Sequence, residues 1–259
     1  MSTAFAIANV TIKELYRRKD FYVLFVMSIL ITLLAGSATF FHDNSIVRYL
    51  KELCLLLIWI SALVIAVTTT ARQIPAEREQ RTIFPLLAKP VTRGQVIAGK
   101  FIGCWLATAI ALVMFYAFLG VVSASREHTW PLLNYFQALW LQWMMLGIVI
   151  AMSLLGSIVF AAPSSNSTII LVVTLTILVL GGHLNTVALQ QSTTVGSLLY
   201  GLYYIIPHLE WFDVRDLVVH DRGLVPWWAV GAASLYAFVY MGIFLLAAWI
   251  TFRRKALNT

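Results

Sequence analysis

The sequence predicts an all-α polytopic membrane protein: six transmembrane helices, both termini cytoplasmic, an amphipathic N-terminal surface helix, and short outside helices before the last span. Three observations predict it. Of 259 residues, 61% are hydrophobic and only 11% charged, against roughly 45–50% and 25% in soluble domains. The apolar residues come in unbroken runs of about 20, the length needed to cross roughly 30 Å of hydrocarbon. The basic residues gather between those runs, mostly in the segments that share one side. No polar stretch is long enough to bury a core of its own, so residues 1–259 read as a single transmembrane domain.

In chain order, residues 3–19 come first. Phe5, Ala8, Ile12 and Leu15 recur at helical spacing and share a face, while Lys13, Arg17, Arg18 and Lys19 add positive charge. A helix lying on the membrane surface, basic side chains near anionic headgroups, fits this pattern. No short apolar region directly follows Met1, so the start does not read as a cleavable signal peptide. The six spans are Phe21–Phe41, Leu53–Ala71, Phe101–Ala124, Phe136–Ala162, Ser167–Leu189 and Trp227–Thr251. The fourth is long enough to tilt or to leave the bilayer in part. Trp130, Trp140, Trp143, Trp227 and Trp228 fall near span ends, where interfacial aromatics concentrate.

Orientation follows from Lys and Arg. With both termini and the segment 72–100 inside, thirteen basic residues are cytoplasmic and five (Arg48, Lys51, Arg126, Arg215, Arg222) are outside; the flipped topology violates the positive-inside rule. The net charge of +7 is thus a matter of membrane orientation. Spread over separate juxtamembrane segments, it does not suit nucleic acid. Cys54 and Cys104 both lie in apolar runs and suggest small buried hydrophobes rather than a disulfide or metal site.

The segment 72–100 is the longest polar interruption. It holds six basic residues and two acids, Glu77 and Glu79. Pro75 suits the first turn of a helix carrying Glu77, Arg78, Glu79, Gln80 and Arg81, and Pro85 and Pro90 end successive pieces. Thr92 with Gln95 three residues on is a capping-box pattern, with Val91 and Val96 placed for a hydrophobic staple. A second helix therefore starts at Thr92 and runs into the third span. This predicts a folded cytoplasmic platform with a lever joined to a span. The inside turn at Pro163–Asn166 is minimal, and its Ser and Asn can cap the fifth span.

Outside, residues 190–226 carry an aromatic patch (Tyr200, Tyr203, Tyr204) too short to span. Then come His208, Glu210, Asp213, Asp216, His220 and Asp221. His208, Glu210 and Asp213 form a candidate outside-loop site. Their spacing matches no tight metal-ligand motif, and an amphipathic helix resting Leu209, Phe212 and Val219 on the bundle is the plainer reading. No phosphate loop, HExxH or GxSxG motif is present. The spans hold almost no ionisable residue, His183 excepted, which argues against an autonomous pump or carrier. A transport-like architecture without its own energy source points to an external motor.

At this point the residues suggest a family. Glu77-Arg78-Glu79-Gln80-Arg81-Thr82-Ile83, then Leu86-Leu87-Ala88-Lys89-Pro90-Val91-Thr92-Arg93 and Gly99-Lys100, resemble the membrane subunits of type-2 ATP-binding-cassette (ABC) exporters. Arg81 stands where a glycine is common, Ile83 for leucine and Thr92 for serine. Ile206-Pro207-His208-Leu209-Glu210-Trp211-Phe212-Asp213 is similar to the bacterial permeases linked to multicopper-enzyme and nitrous-oxide-reductase maturation. The resemblance implies a permease subunit of the bacterial inner membrane that pairs with a second copy or a paralogue. Two cytoplasmic ABC ATPase subunits would dock on it and carry the ATP and magnesium, leaving the chain itself non-enzymatic and without a directly bound cofactor. Pro75, Glu77, Arg78, Glu79, Arg81, Thr82 and Phe84 would form the ATPase-coupling element, with Thr92 and Gln95 capping the lever and the Pro163–Ser167 turn as a lesser contact. A periplasmic accessory protein is a further partner consistent with the resemblance. The alternatives are a membrane-embedded enzyme and a non-transport scaffold or sensor subunit.

Overall fold

The computed structural model describes residues 3–16, 45–79, 92–127, 132–190, 203–220 and 222–254, with positions 22, 26, 29, 30, 196, 197 and 201. All regular structure among them is helical. Helix α1 is Thr3–Tyr16, α2 Ser45–Ala71, α3 Gln73–Glu79, α4 Arg93–Glu127, α5 Leu132–Val159 and α6 Pro163–Gln190. A 3-10 turn at Leu209–Phe212 and α7, Arg215–Val219, precede α8, Trp227–Arg254.

Four described helices are long and apolar enough to cross a membrane: the α2–α3 unit, α4, α5 and α8. They answer to the second, third, fourth and sixth expected spans. Helix α6 covers the fifth. The expected first span, Phe21–Phe41, lies almost wholly outside the described residues, as do Arg17, Arg18, Lys19 and Trp130.

The core sits around α5, the most enclosed of the four spanning helices. From Met144 to Leu154 every one of its residues is buried, so α5 is apolar all round where it is surrounded by protein. Helix α8 lies at the edge, with Leu235, Phe238, Ile243 and Leu246 exposed in the absence of lipid. Polar side chains stitch α5 to its neighbours. Gln137 accepts from the Val225 backbone N–H and donates to the Val225 carbonyl, both at 2.9 Å. Trp140 Nε1 donates to Ser234 Oγ at 2.9 Å. Trp105 of α4 and Trp143 stack at 4.3 Å, and each indole N–H donates to the other's carbonyl at 3.2 and 3.0 Å. Trp140 and Trp143 are half-buried, and their indole N–H groups find the hydrogen-bond partner such a position asks for between helices. Trp227 and Trp228 do stand exposed, at the start of α8.

Several boundaries move, each for a local reason. Helix α2 begins at Ser45, eight residues before the expected span, and takes Arg48, Lys51 and Glu52 into its first turns. It stops at Ala71 because Pro75 has no N–H to give the Ala71 carbonyl. The chain turns at Arg72, and α3 restarts with Ala76 N–H on the Arg72 carbonyl at 3.0 Å. The turn after α5 is residues 160–162, so the expected Pro163–Asn166 loop is instead the first turn of α6, with Pro163 where a missing N–H costs nothing. Asn166 is not an exposed cap. It is fully buried and donates through Nδ2 to the Ser153 carbonyl of α5 at 3.0 Å. On α1 the packed residues are Ala8 and Thr11, while Phe5 is exposed and Ile12 half-buried, so the packed face is turned from the expected stripe towards its small residues. The reason is Gly103 on α4: a Cβ there would stand 2.7 Å from Thr11 Cβ, and only small residues allow so close an approach.

Candidate functional site

Two polar regions stand out, at opposite ends of the bundle. The platform end is built from α3, the start of α4 and the end of α8. Gln73, Ile74 and Pro75 are buried beneath α3. Glu79 points outward and is exposed, whereas Glu77 turns in. Its Oε1 lies 2.7 Å from Lys100 Nζ, and the Lys100 side chain is only 4% exposed. Lys100 also donates to Gln73 Oε1 at 3.1 Å. An ammonium so deeply buried persists only with such partners. Thus Lys100, two turns into α4, holds α3 by its first and second turns. Arg78 is half-buried.

The start of α4 is capped reciprocally. Thr92 N–H donates to Gln95 Oε1 at 3.0 Å, and Gln95 N–H to Thr92 Oγ1 at 3.3 Å, which satisfies two of the amides a helix start leaves unpaired. Beyond this cap α4 continues without a break for 35 residues, about 52 Å at 1.5 Å per residue. That exceeds a bilayer's hydrocarbon thickness, so platform and span are one rod. Arg81, Thr82 and Phe84, expected in the coupling element, fall in residues 80–91 and lie outside the described residues, as do Pro85, Pro90 and Val91.

At the far end, the segment 203–220 folds over the mouth between α2 and α6. The single amphipathic helix expected there is instead two short pieces, since Asp213 and Val214 are non-helical between them. The expected anchors hold: Leu209, Phe212 and Val219, with Val218, are buried. His208 is 5% exposed and is packed by Tyr203 and Trp211, with ring centroids at 4.3 and 4.8 Å. Its backbone N–H donates to Tyr236 Oη at 2.9 Å, and Nδ1 lies 3.3 Å from Glu210 Oε1. Glu210 rests on α6, where a Cβ on Gly181 would stand 2.6 Å from Oε2.

Asp213 does not join His208 and Glu210. It pairs with Arg215, whose Nε and Nη2 donate to its two oxygens at 2.8 and 2.6 Å, and the guanidinium lies 5.0 Å from the Trp59 ring centroid. The hydrogen bonds it donates to Asp213 raise the Arg215 pKa, against the opposing effect of burial. A cavity of about 530 Å³ opens here, lined by Glu52, Leu56, Glu210, Asp213, Arg215, Asp216, Val219 and His220. Among the described residues no cluster of three or more His, Cys, Asp or Glu could hold a metal ion.

Sequence reasoning missed Gln73 and the structural role of Lys100, and it did not connect Glu52 with Asp213 and Arg215. For Lys100 a signal existed, since a lysine just inside a span must find an acid. Nothing in sequence spacing brings residues 52 and 215 together. A family model described as ABC-2 family transporter protein matches residues 5–257. No curated protein matches the chain.

Proposed function

The chain belongs to the ABC-2 family of transporter proteins, and on that premise we propose that it forms the membrane half of an exporter driven by separate ATPase subunits. As a family member it is a multi-pass permease subunit that works with ABC ATPases. The finer reading adds that two ATPases dock on α3 from the cytoplasm and bind the ATP and magnesium. A second copy or a paralogue completes the path, both termini are cytoplasmic, and the membrane is a bacterial inner membrane. Maturation-type permeases are the subgroup this reading favours.

The observation that carries the reading is the construction of the platform. Helix α3 turns Glu79 outward and buries Pro75, while Glu77 and Gln73 are fastened through Lys100 to a rod long enough to cross a bilayer. An exposed short helix on a rigid mount is what an external motor needs in order to push. Since Glu77 is part of the mount, its removal would confuse docking with folding; Glu79 is the clean probe. Extraction of the chain from its native membrane in mild detergent should bring down a stoichiometric ATPase. Glu79→Lys should weaken that association about tenfold, a typical cost for reversing one contact charge in an interface, while the variant inserts normally. Recovery of the chain alone, or with a partner lacking a nucleotide site, overturns the reading.

A further inference from the structure

The platform end contains a second tie that ATPase docking does not by itself require. Arg93, the first residue of α4, reaches across to the last turn of α8. Its Nη1 donates to the Phe252 carbonyl at 2.7 Å and the Arg253 carbonyl at 3.1 Å. These are among the carbonyls that a helix end leaves without intrahelical partners, at the negative end of the helix dipole. The same guanidinium lies 5.5 Å from the ring centroid of Phe252, itself fully buried. Trp249, one turn earlier, lies against Gly94. Arg93 thus caps the last span from outside it, and a planar guanidinium suits two adjacent carbonyls beside an aromatic ring.

Seven residues along α4, about 10 Å at 1.5 Å per residue, Lys100 holds Glu77 and Gln73 of α3. One rod therefore grips α3 and the end of α8 within two turns, through a buried Lys100 and a half-buried Arg93. We propose that Arg93 is a positioning residue for coupling: it makes α3, the start of α4 and the end of α8 one body, so that a push received on α3 reaches the last span directly. This rests on the reading of α3 as the ATPase-docking helix.

The test uses the full chain with its ATPase in lipid nanodiscs, carrying spin labels at Arg72→Cys and Arg254→Cys. Both positions are exposed, and the thiols of the native Cys54 and Cys104 are buried. Distances are measured without nucleotide and after trapping with ATP and vanadate. In the otherwise unchanged chain the distribution should be narrow and the same in both states. Arg93→Gln should broaden it about twofold or shift it on trapping, as expected when a tie that couples two elements is removed, and Arg93→Lys should restore part of the wild-type behaviour. If Arg93→Gln exposes Cys54 and Cys104 to thiol reagents, Arg93→Lys against wild type carries the comparison: a distribution between the two extremes supports the proposal. A distance that changes on trapping in the unchanged chain overturns it, with the ATPase-docking reading left standing because the ATPase is bound. So does an Arg93→Gln trace identical to wild type. If no ATPase binds at all, both fall, and the failure shows at purification, before any distance is measured.

Discussion

Lys100 is the residue whose removal should cost most. Its ammonium is 4% exposed and satisfied by Glu77 and Gln73. Lys100→Met leaves the Glu77 carboxylate facing a thioether across a dry contact. Losing one member of a buried pair costs about 3–5 kcal/mol; Glu77 keeps 24% of its side chain in solvent, which places the expectation near the lower end of that range. The double variant Glu77→Gln with Lys100→Met removes both charges and should recover most of the loss. The thiols of Cys54 and Cys104 are buried, so a thiol-reactive fluorophore reports unfolding directly: the midpoint should fall for Lys100→Met and rise again in the double variant. Equal midpoints for the two would mean that the pair contributes nothing specific. At this scale the sequence was only partly legible. The types at Glu77 and Lys100 pointed to the platform, but not the fact that one faces inward while Glu79 faces out, because that depends on how Pro75 resets the helix phase at Arg72.

Elements were read more securely than residues, because periodicity and caps are local. The capping box at Thr92 and Gln95 sets the start of α4 through hydrogen bonds three residues apart, and apolar run length sets the rod that follows. What local pattern could not supply is which face packs on which neighbour. On α1 the spacing of Phe5, Ala8, Ile12 and Leu15 marked a stripe, yet Ala8 and Thr11 are the residues buried. The determinant is Gly103, some ninety positions away, which admits the α1 backbone. Gly103→Val should therefore lift α1 from α4, since neither Thr11 Cβ nor the Ala8 carbonyl can yield. A reporter cysteine at Ala8, 2% exposed in the native packing, should resist a water-soluble maleimide in the parent chain. In the Gly103→Val background it should react at least about tenfold faster, because overpacking a tight helix crossing costs about 1–3 kcal/mol. Unchanged protection would mean that α1 is held elsewhere. The far-end segment shows the same limit: apolar anchors at Leu209, Phe212 and Val219 were legible, whereas the placing of Arg215, held by Asp213 at the break, over Trp59 of α2 was not.

For the whole molecule, the arrangement of the two ends is the property on which every functional statement depends. Arg93 on the carbonyls of Phe252 and Arg253 puts the start of α4 and the end of α8 at one end. The Glu77–Lys100 pair adds α3, which follows the end of α2, to that end, while the cavity that Asp213, Arg215 and Asp216 share with Glu52 and Leu56 puts 209–220 beside the first half of α2, the other end. These interactions fix relative sides without reference to charge. The distribution of Lys and Arg then chooses which end is inside, and the two arguments are independent. Single cysteines at Glu79, His220 and Arg254, all exposed, test both in one experiment. With a membrane-impermeant thiol reagent, right-side-out vesicles should label His220→Cys alone, and inverted vesicles should label Glu79→Cys and Arg254→Cys. If positions 79 and 254 react from opposite sides, the packing of α3, α4 and α8 is wrong, and the Arg93 tie with it. If all three reverse together, the packing survives but the charge rule does not apply to this chain. An ATPase in the cytoplasm could then not reach α3, and the motor-driven reading would have to be abandoned on topology alone.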